Sequence, residues 1–301
     1  MILHQYEKTI AEMAKTNNEI IVCTAETRWA MRNLPDILGE RFMDVGISEQ
    51  TLIGMAAGLS KMGMFPICHA LASFLLMRPY EFIRTDLGYP KLRALLVGSF
   101  NGFISQANGP THQAIDDISL MSNVPNMTIM APSNLNQTCE LLRLSETNLD
   151  GPAYMRFNDI DSKYDSPQSL KWDENPIQQK GKNTIVISYG LCFNILEGVF
   201  KNNKNFNNVG FANCVFIKPL PSDFLEMIFS SYDKIIVVED HRYQGSLCYE
   251  LKHSAFEFGY RGGISGINLE ERFFKPALLD DVLDYEGFSP MKLRKQIEDK
   301  L

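Results

Sequence analysis

Three short stretches of the sequence carry residue types that could do acid–base chemistry. DVGISEQ (44–50) places Glu49 where a short strand gives way to a predicted helix, and a carboxylate is electrostatically favoured in a first helical turn. NGPTHQ (108–113) is a turn signal that places His112 near the carboxyl end of a strand, where ligands bind in open α/β sheets. In VEDH (238–241) an acid precedes a histidine, but adjacent strand residues point to opposite faces. Residue types alone also allow structural roles. Glu49 could be an ordinary acid at a helix start, and His112 could be a capping or surface residue.

The elements that must position these residues alternate between short apolar strands and longer helical patterns. The first half predicts strands at 20–24, 92–99 and 127–132, and helices at 4–16, 47–62, 74–87 and 134–148. The second half predicts strands at 184–190, 209–217 and 234–240, with helices from about 193 and from 222. This alternation predicts an α/β fold in which mainly parallel sheets are flanked by helices.

A polar segment that contains Pro167 and Pro176 interrupts the alternation. We therefore predict two domains, at 1–158 and 183–301, joined by a linker at 159–182 with at most an irregular strand.

Length, composition and charge exclude several classes of function. The 301 residues suffice for one large domain or two ordinary ones. The net charge of −7 and the lack of a basic run make nucleic-acid binding a poor expectation. The longest strongly apolar stretch, 70–77, is far shorter than the roughly 20 residues that cross a bilayer. Charged residues are spread over the first 15 positions and leave no apolar signal-peptide core, so a cytoplasmic protein is expected.

The cysteines and the missing motifs narrow the chemistry further. The six cysteines lie at least 22 residues apart, which favours buried free thiols, and no Cys/His cluster has metal-ligand spacing. The sequence has no G-x-G-x-x-G fingerprint, no G-x-x-x-x-G-K-[ST] loop and no G-x-S-x-G elbow. The chain therefore shows no phosphate-binding loop of its own.

Two long stretches, RFMDVGISEQTLIGMAAGLSKMG (41–63) and GPTHQAIDDISLMSNVPNMTIMAPSN (109–134), are very similar to the pyrimidine-binding domain of transketolases. GPAYMRF (151–157), FIKPL (216–220) and VVEDH (237–241) also fit that family's register. The resemblance is to the two-gene form in particular, in which a shorter chain carries the C-terminal half. It implies a pyrimidine-binding domain followed by a transketolase C-terminal-like domain.

The resemblance also implies a cofactor and a partner. In this family thiamine diphosphate bridges two domains, one of which holds the diphosphate through Mg²⁺ with a Gly-Asp-Gly motif. This sequence contains no Gly-Asp-Gly. We therefore expect an N-terminal transketolase-type subunit to supply the diphosphate and Mg²⁺ site, and self-association through the pyrimidine and C-terminal domains to give an α2β2 assembly.

The resemblance assigns roles at the cofactor end. Glu49 matches the acid that hydrogen-bonds the pyrimidine ring and favours its imino tautomer, which takes the proton from the thiazolium carbon. Phe74 matches the aromatic residue that stacks on the pyrimidine, and Leu71 and Met77 complete the expected ring pocket. Leu71 stands where the family has a further aromatic residue. His112 matches a histidine that contacts the substrate's oxygen.

The substrate end departs from the family pattern. Arg156 matches an arginine that receives the acceptor's phosphate, a role suited to a planar fork of donors. Three other family residues are replaced: a histidine by Phe100, an aspartate that selects hydroxyl stereochemistry by Asn108, and an N-terminal phosphate-binding arginine by Leu3. Arg28 or Arg32, in the loop after the first strand, could compensate or be plain solvated charges.

These matches imply the C-terminal subunit of a two-chain transketolase-like enzyme, which moves a two-carbon ketol unit from a ketose donor to an aldehyde acceptor through a thiamine adduct. The replaced residues imply altered substrate specificity, with weak activity on ordinary pentose phosphates. Two other readings stay open: the beta subunit of a 2-oxo acid dehydrogenase's thiamine-dependent component, and a non-catalytic partner of a thiamine enzyme. A relative of 1-deoxyxylulose-5-phosphate synthase is less expected, because that enzyme normally carries both halves in one chain.

Overall fold

The structure of the chain is a computed structural model that describes residues 2–160 and 169–301, without the side chains of residues 2–4. The strands are β1 (Ile20–Thr24), β2 (Phe42–Asp44), β3 (Phe65–Leu71), β4 (Ala94–Ser99), β5 (Thr128–Met130), β6 (Pro152–Arg156), β7 (Ile177–Gln179), β8 (Thr184–Ser188), β9 (Val209–Asn213), β10 (Phe216–Lys218), β11 (Lys234–Arg242) and β12 (Gly263–Leu269). The α-helices are α1 (Ile2–Thr16), α2 (Leu34–Leu38), α3 (Glu49–Lys61), α4 (Ala72–Met77), α5 (Tyr80–Phe82), α6 (Asp117–Ser122), α7 (Leu135–Asn148), α8 (Gly190–Lys201), α9 (Ser222–Ser231), α10 (Leu247–Glu257), α11 (Leu279–Tyr285) and α12 (Pro290–Glu298).

The first sheet has seven strands in the order β10-β5-β6-β4-β3-β1-β2, and all except β10 run parallel. Strand β1, which lies between β3 and the edge strand β2, is buried along its whole length, as expected when helices cover both faces of a parallel sheet. Ile21 and Cys23 pack in the same cluster as apolar residues of α3, whereas Ile20 and Val22 pack with residues of α1 and α7. The alternation of side chains along β1 therefore joins two helical layers to one sheet.

The second sheet has five strands in the order β12-β11-β8-β9-β7, with β7 as an antiparallel edge. Apolar residues of α8 cover one face of its central strands β8 and β11, and residues of α9 and α10 cover the other. The predicted fold class, an α/β protein with two mainly parallel sheets flanked by helices, is confirmed.

The single strand predicted at 209–217 is wrong, because the structure divides it between the two sheets. β9 pairs with β8 in the second sheet, whereas β10 pairs antiparallel with β5 in the first. The chain turns at Asn213, whose buried side-chain amide donates to Ser133 Oγ at 3.0 Å and Gln137 Oε1 at 3.1 Å. Residues 216–218 of the predicted C-terminal domain therefore belong to the sheet of the first domain.

Part of the predicted linker 159–182, residues 161–168, lies outside the described residues. The described part of the linker contains one strand, β7, which pairs with β9 in the second sheet.

The predicted continuous helix at 74–87 is also wrong. α4 ends at Met77, and after Pro79 the chain continues as the short α5 and a π-helical turn over Ile83–Gly88. A proline inside a helix removes a backbone donor and clashes with the preceding turn, so the helix ends before it. The break sets Arg78 at the junction of the two helices.

Candidate active site

Glu49 is the first residue of α3 and is only 5% exposed. The chain reaches it from β2 through a tight turn in which Gly46 has a φ of +69°, a conformation that favours glycine. Asp44 Oδ1 accepts the Gly46 N–H at 2.9 Å and fixes this turn. A carboxylate at this position also faces the positive end of the helix dipole. The strand-to-helix placement of Glu49 that the sequence predicts is therefore present.

Arg78 contacts this carboxylate and is a site residue that the sequence analysis missed. Its Nη1 donates to Glu49 Oε1 at 2.8 Å, and its Cζ lies 3.8 Å from the centroid of the Phe74 ring. The Arg78 side chain is 44% exposed, whereas that of Glu49 is 6% exposed. The spacing of four residues between Phe74 and Arg78 was the available signal, since side chains at i and i+4 meet on one helix face.

Phe74 and His112 complete a connected group with Glu49 and Arg78. The rings of Phe74 and His112 meet edge to face with centroids 4.9 Å apart, and both residues are half-buried. His112 Nδ1 lies 2.9 Å from the Thr111 hydroxyl, which leaves Nε2 for another partner. The structure therefore brings Glu49, Phe74 and His112 together, and Arg78 links the acid to the aromatic ring.

Leu71 and Met77 flank this group at the two ends of α4. Leu71 is the last residue of β3 and is half-buried, and Met77 is 40% exposed. The roles of both side chains in a ring pocket stay predictions.

Phe100 and Asn108 lie on the segment that follows β4. Phe100 has a φ of +59°, and its ring meets that of Trp29 edge to face at 5.8 Å. Phe100 directly follows Ser99, the register partner of Leu71, so the Phe100–Trp29 pair lies at the carboxyl edge of the sheet. Asn108 is exposed and its amide turns back to donate to Ser105 O at 3.0 Å. The substrate-binding roles of Phe100 and Asn108 stay predictions.

Arg156, the predicted phosphate-binding residue, is buried and paired with two carboxylates. It is 1% exposed, and its Nε and Nη1 donate to Asp117 Oδ2 at 2.9 Å and Asp240 Oδ1 at 2.8 Å. Asp240 lies on β11, so the guanidinium joins the two sheets. His241 is buried beside this network, with its Nε2 4.0 Å from Asp117 Oδ1. Two buried carboxylates thus take Nε and Nη1, whereas Nη2 is buried with no hydrogen-bond partner among the described residues, and the phosphate-binding role stays a prediction.

Arg28, in contrast, is exposed but also paired. Its Nε contacts Asp44 Oδ2 at 2.5 Å, and Asp44 accepts further hydrogen bonds from the backbone of Glu26 and Gly46. Partial burial raises the pKa of Asp44, but these three donors outweigh it and the pKa is lowered overall. Arg32 is exposed and makes no contact within the described residues. The side chain of Leu3 lies outside the part of the chain that is described.

The described residues show no other kind of site among the cysteines, the metal-ligating side chains or the helices. All six cysteines are buried free thiols, as predicted. Over residues 2–160 and 169–301, no group of three His, Cys, Asp or Glu residues is placed to hold a metal ion, and no helix is long and apolar enough to cross a membrane.

Comparison with known proteins identifies the family. Residues 3–161 match the family described as transketolase, pyrimidine binding domain. The chain belongs to this transketolase family. The match begins near the first helix and ends just after β6, and it contains Glu49, Phe74 and His112.

Individual relatives agree with this assignment. The chain is 27% identical to a transketolase C-terminal section of Methanocaldococcus jannaschii, over 98% of this chain and 95% of that protein. It is also 27% identical to the 1-deoxy-D-xylulose-5-phosphate synthase of Clostridium perfringens, of which it spans about half, 48%. A solved structure described as a split gene transketolase, an inactive beta4 tetramer, matches the fold with a TM-score of 0.84 at 22% identity, over 99% of this chain and 97% of that one.

Proposed function

We propose that this chain is the C-terminal subunit of a two-chain transketolase-like enzyme that transfers a two-carbon ketol unit from a ketose donor to an aldehyde acceptor. The observation that carries the proposal is the connected group of Glu49, Phe74 and His112. In it Arg78 links a buried carboxylate at a helix start to an aromatic ring, and that ring meets a histidine. The transketolase C-terminal section that matches along nearly its whole length supports the division into two chains.

The described residues fit one end of thiamine diphosphate. Glu49 Oε2 makes no hydrogen bond within the described residues, so one carboxylate oxygen is available to a ring nitrogen. Phe74 offers an aromatic face. Among the described residues no group of three His, Cys, Asp or Glu residues is placed to hold a metal ion, and the sequence contains no Gly-Asp-Gly. We therefore assign the aminopyrimidine to this chain, and the diphosphate and Mg²⁺ to an N-terminal partner within an α2β2 assembly.

Each residue of the group has a definite task in this proposal. When bound, the cofactor supplies a carbon nucleophile and an electron sink. The Glu49 carboxylate holds and shares a proton at a pyrimidine ring nitrogen, and its burial strengthens that hydrogen bond. Phe74 orients the ring by stacking, and His112 directs its Nε2 at the substrate oxygen because Thr111 occupies Nδ1.

The substrate end supports an altered acceptor. Arg156 is paired with Asp117 and Asp240, and Arg28 is paired with Asp44. The edge of the sheet that carries a histidine in the family carries the Phe100–Trp29 aromatic pair instead. We therefore propose that this enzyme is weak on ordinary pentose phosphates. Robust turnover of xylulose 5-phosphate with ribose 5-phosphate would refute this part of the proposal.

The first test is titration calorimetry of thiamine diphosphate with Mg²⁺ into the chain alone and into the chain mixed with its candidate N-terminal partner. Binding is expected only in the complex. Tight binding to the isolated chain would show a diphosphate site that the proposal lacks, and no binding in either sample would favour a non-catalytic partner.

The second test is Glu49→Gln, with the exposed Glu81→Gln as a control for charge. We expect Glu49→Gln to lower turnover by roughly 100-fold or more while assembly persists, which is the scale of a lost acid–base group. Turnover should be assayed as ketol transfer, as release of carbon dioxide from pyruvate with glyceraldehyde 3-phosphate, and as decarboxylation of pyruvate or branched-chain oxo acids alone. Release of carbon dioxide from pyruvate with glyceraldehyde 3-phosphate tests the synthase alternative, and decarboxylation of an oxo acid alone tests the dehydrogenase alternative. The synthase assay is essential because several relatives of this chain are synthases.

A further inference from the structure

The Arg78 guanidinium makes both contacts that the proposed site reserves for the aminopyrimidine ring. It donates to Glu49 Oε1 at 2.8 Å, and it lies over the face of the Phe74 ring at 3.8 Å. A guanidinium is planar and carries N–H donors at its edge, so it stacks on aromatic faces and pairs with carboxylates. An aminopyrimidine is also planar and has donors at its edge. Arg78 thus stands in for the ring in the isolated chain.

The position of Arg78 also excludes a bound ring. Arg78 holds Glu49 Oε1 and covers the face of the Phe74 ring on which an aminopyrimidine would have to stack. Arg78 therefore has to leave this place before a ring can lie against Phe74 and reach Glu49.

The surroundings of Arg78 permit this movement. Its side chain is 44% exposed, whereas its backbone is held by the junction of α4 and α5 and by the Gln50 amide, which donates to Arg78 O at 3.4 Å. Apart from Glu49 and Phe74, no described residue contacts the guanidinium. The long side chain can turn outward without any change in the helices.

We propose that Arg78 is a latch that closes the pyrimidine site of the uncombined chain and is displaced when the ring enters. This inference rests on the proposed function. When the latch is closed most of the time, the apparent affinity for the ring equals the affinity of the open site multiplied by the fraction of time that the site is open. Because the pair is partly exposed, we expect its removal to tighten ring binding by roughly three- to tenfold.

The test uses the full chain and a probe that needs only this half of the site, 4-amino-5-hydroxymethyl-2-methylpyrimidine, titrated by NMR. Arg78→Gln should bind the probe roughly three- to tenfold more tightly than the unmodified chain. Arg84→Gln is the matched control, because it removes the same charge from an exposed arginine one and a half turns along that makes no described side-chain contact. It should leave the affinity unchanged. Weaker probe binding by Arg78→Gln would overturn the latch and show instead that Arg78 orients Glu49.

The Glu49→Gln background separates this proposal from the proposed function. Without the carboxylate the latch has no anchor, so Arg78→Gln should bring no gain in Glu49→Gln. If Glu49→Gln alone weakens the probe but Arg78→Gln has no effect, only the latch is refuted. If no variant binds the probe, or Glu49→Gln is without effect, the assignment of the pyrimidine to this chain is refuted as well. Arginine-selective NMR gives a further readout, because the Arg78 Nε signal should move as the probe is added.

Discussion

Replacing Arg156 by methionine tests whether this residue holds the two sheets together or binds substrate. Its Nε and Nη1 pair with Asp117 at 2.9 Å and Asp240 at 2.8 Å, and all three side chains are at most 2% exposed. The Tyr154 hydroxyl donates to the same Asp117 oxygen at 2.6 Å. Burial, together with the Asp117 charge, raises the pKa of Tyr154 well above its ordinary value, so this hydroxyl stays a neutral hydrogen-bond donor and supplies no positive charge when the arginine is removed.

The expected loss of stability follows from the two carboxylates that Arg156→Met leaves without a cation. Two carboxylates that are sealed from water would lose their shared cation, and breaking a buried pair from one side typically costs about 3–5 kcal/mol. We therefore expect Arg156→Met to lower the free energy of unfolding by at least about 3 kcal/mol, which corresponds to a fall in Tm of at least roughly 5 °C for a chain of this size. Adding Asp117→Asn and Asp240→Asn to Arg156→Met should restore part of the loss, because uncharged amides no longer need a cation.

The assay is thermal and denaturant unfolding of these variants beside Arg28→Met. Arg28 also pairs with an aspartate, but its side chain is 56% exposed, so its loss should cost under about 1 kcal/mol. Two results would refute the reasoning. One is a stability change for Arg156→Met as small as that for Arg28→Met. The other is an unchanged stability together with a raised KM for phosphorylated acceptors only, which would support the phosphate-binding role.

Two further predictions concern stability near the site. Burial lowers the pKa of His69 to about 3, so below pH 6.5 the unfolded chain binds a proton that the folded chain excludes. The free energy of unfolding should therefore fall by about 2 kcal/mol between pH 7 and pH 5, as measured by urea titration, and His69→Leu should abolish most of this fall. Gly102→Ala would place a Cβ 1.7 Å from Asp240 Oδ2 at a φ of +52°. It should destabilise the chain by roughly 2 kcal/mol or more, and an unfolding midpoint equal to that of the unmodified chain would show that the contact relaxes freely.

Much of the fold follows from local patterns. β1 begins and ends where IIVCT predicts it, since a fully buried strand of a parallel sheet is a continuous apolar run bounded by polar residues. α7 begins one residue after the predicted start at Asn134, whose side chain accepts the Gln137 N–H as a helix cap. β10 could not be predicted in this way. VGFANCVFI is one apolar run, and only pairing with β5, more than 80 residues earlier in the chain, divides it.

The candidate site shows the same contrast. The positions of Glu49, Phe74 and His112 follow from motifs that lie next to the strands and helices carrying them. The states of Arg78 and Arg156 depend on distant partners, since Arg78 meets an acid 29 residues earlier and Arg156 meets one 84 residues later. A motif predicts that an arginine is present, but it does not report which carboxylate neutralises it. The pairing of Arg156 with Asp117 and Asp240 was therefore not predicted, and its phosphate-binding role stays a prediction.

The exposure of the site bears directly on the proposed partner. A hydrogen bond between a carboxylate and a ring nitrogen is strong only where water is excluded, because water screens the charge and competes for the same oxygen. Glu49 is buried, but Phe74 and His112 are half-buried and the Arg78 side chain is 44% exposed. In the isolated chain the open side of the group therefore faces solvent. The chemistry proposed for Glu49 needs this side to be covered by another polypeptide. The same cover would remove the water that solvates Arg78 when its side chain swings outward. We therefore expect Arg78 to leave Glu49 before the partner closes over the site.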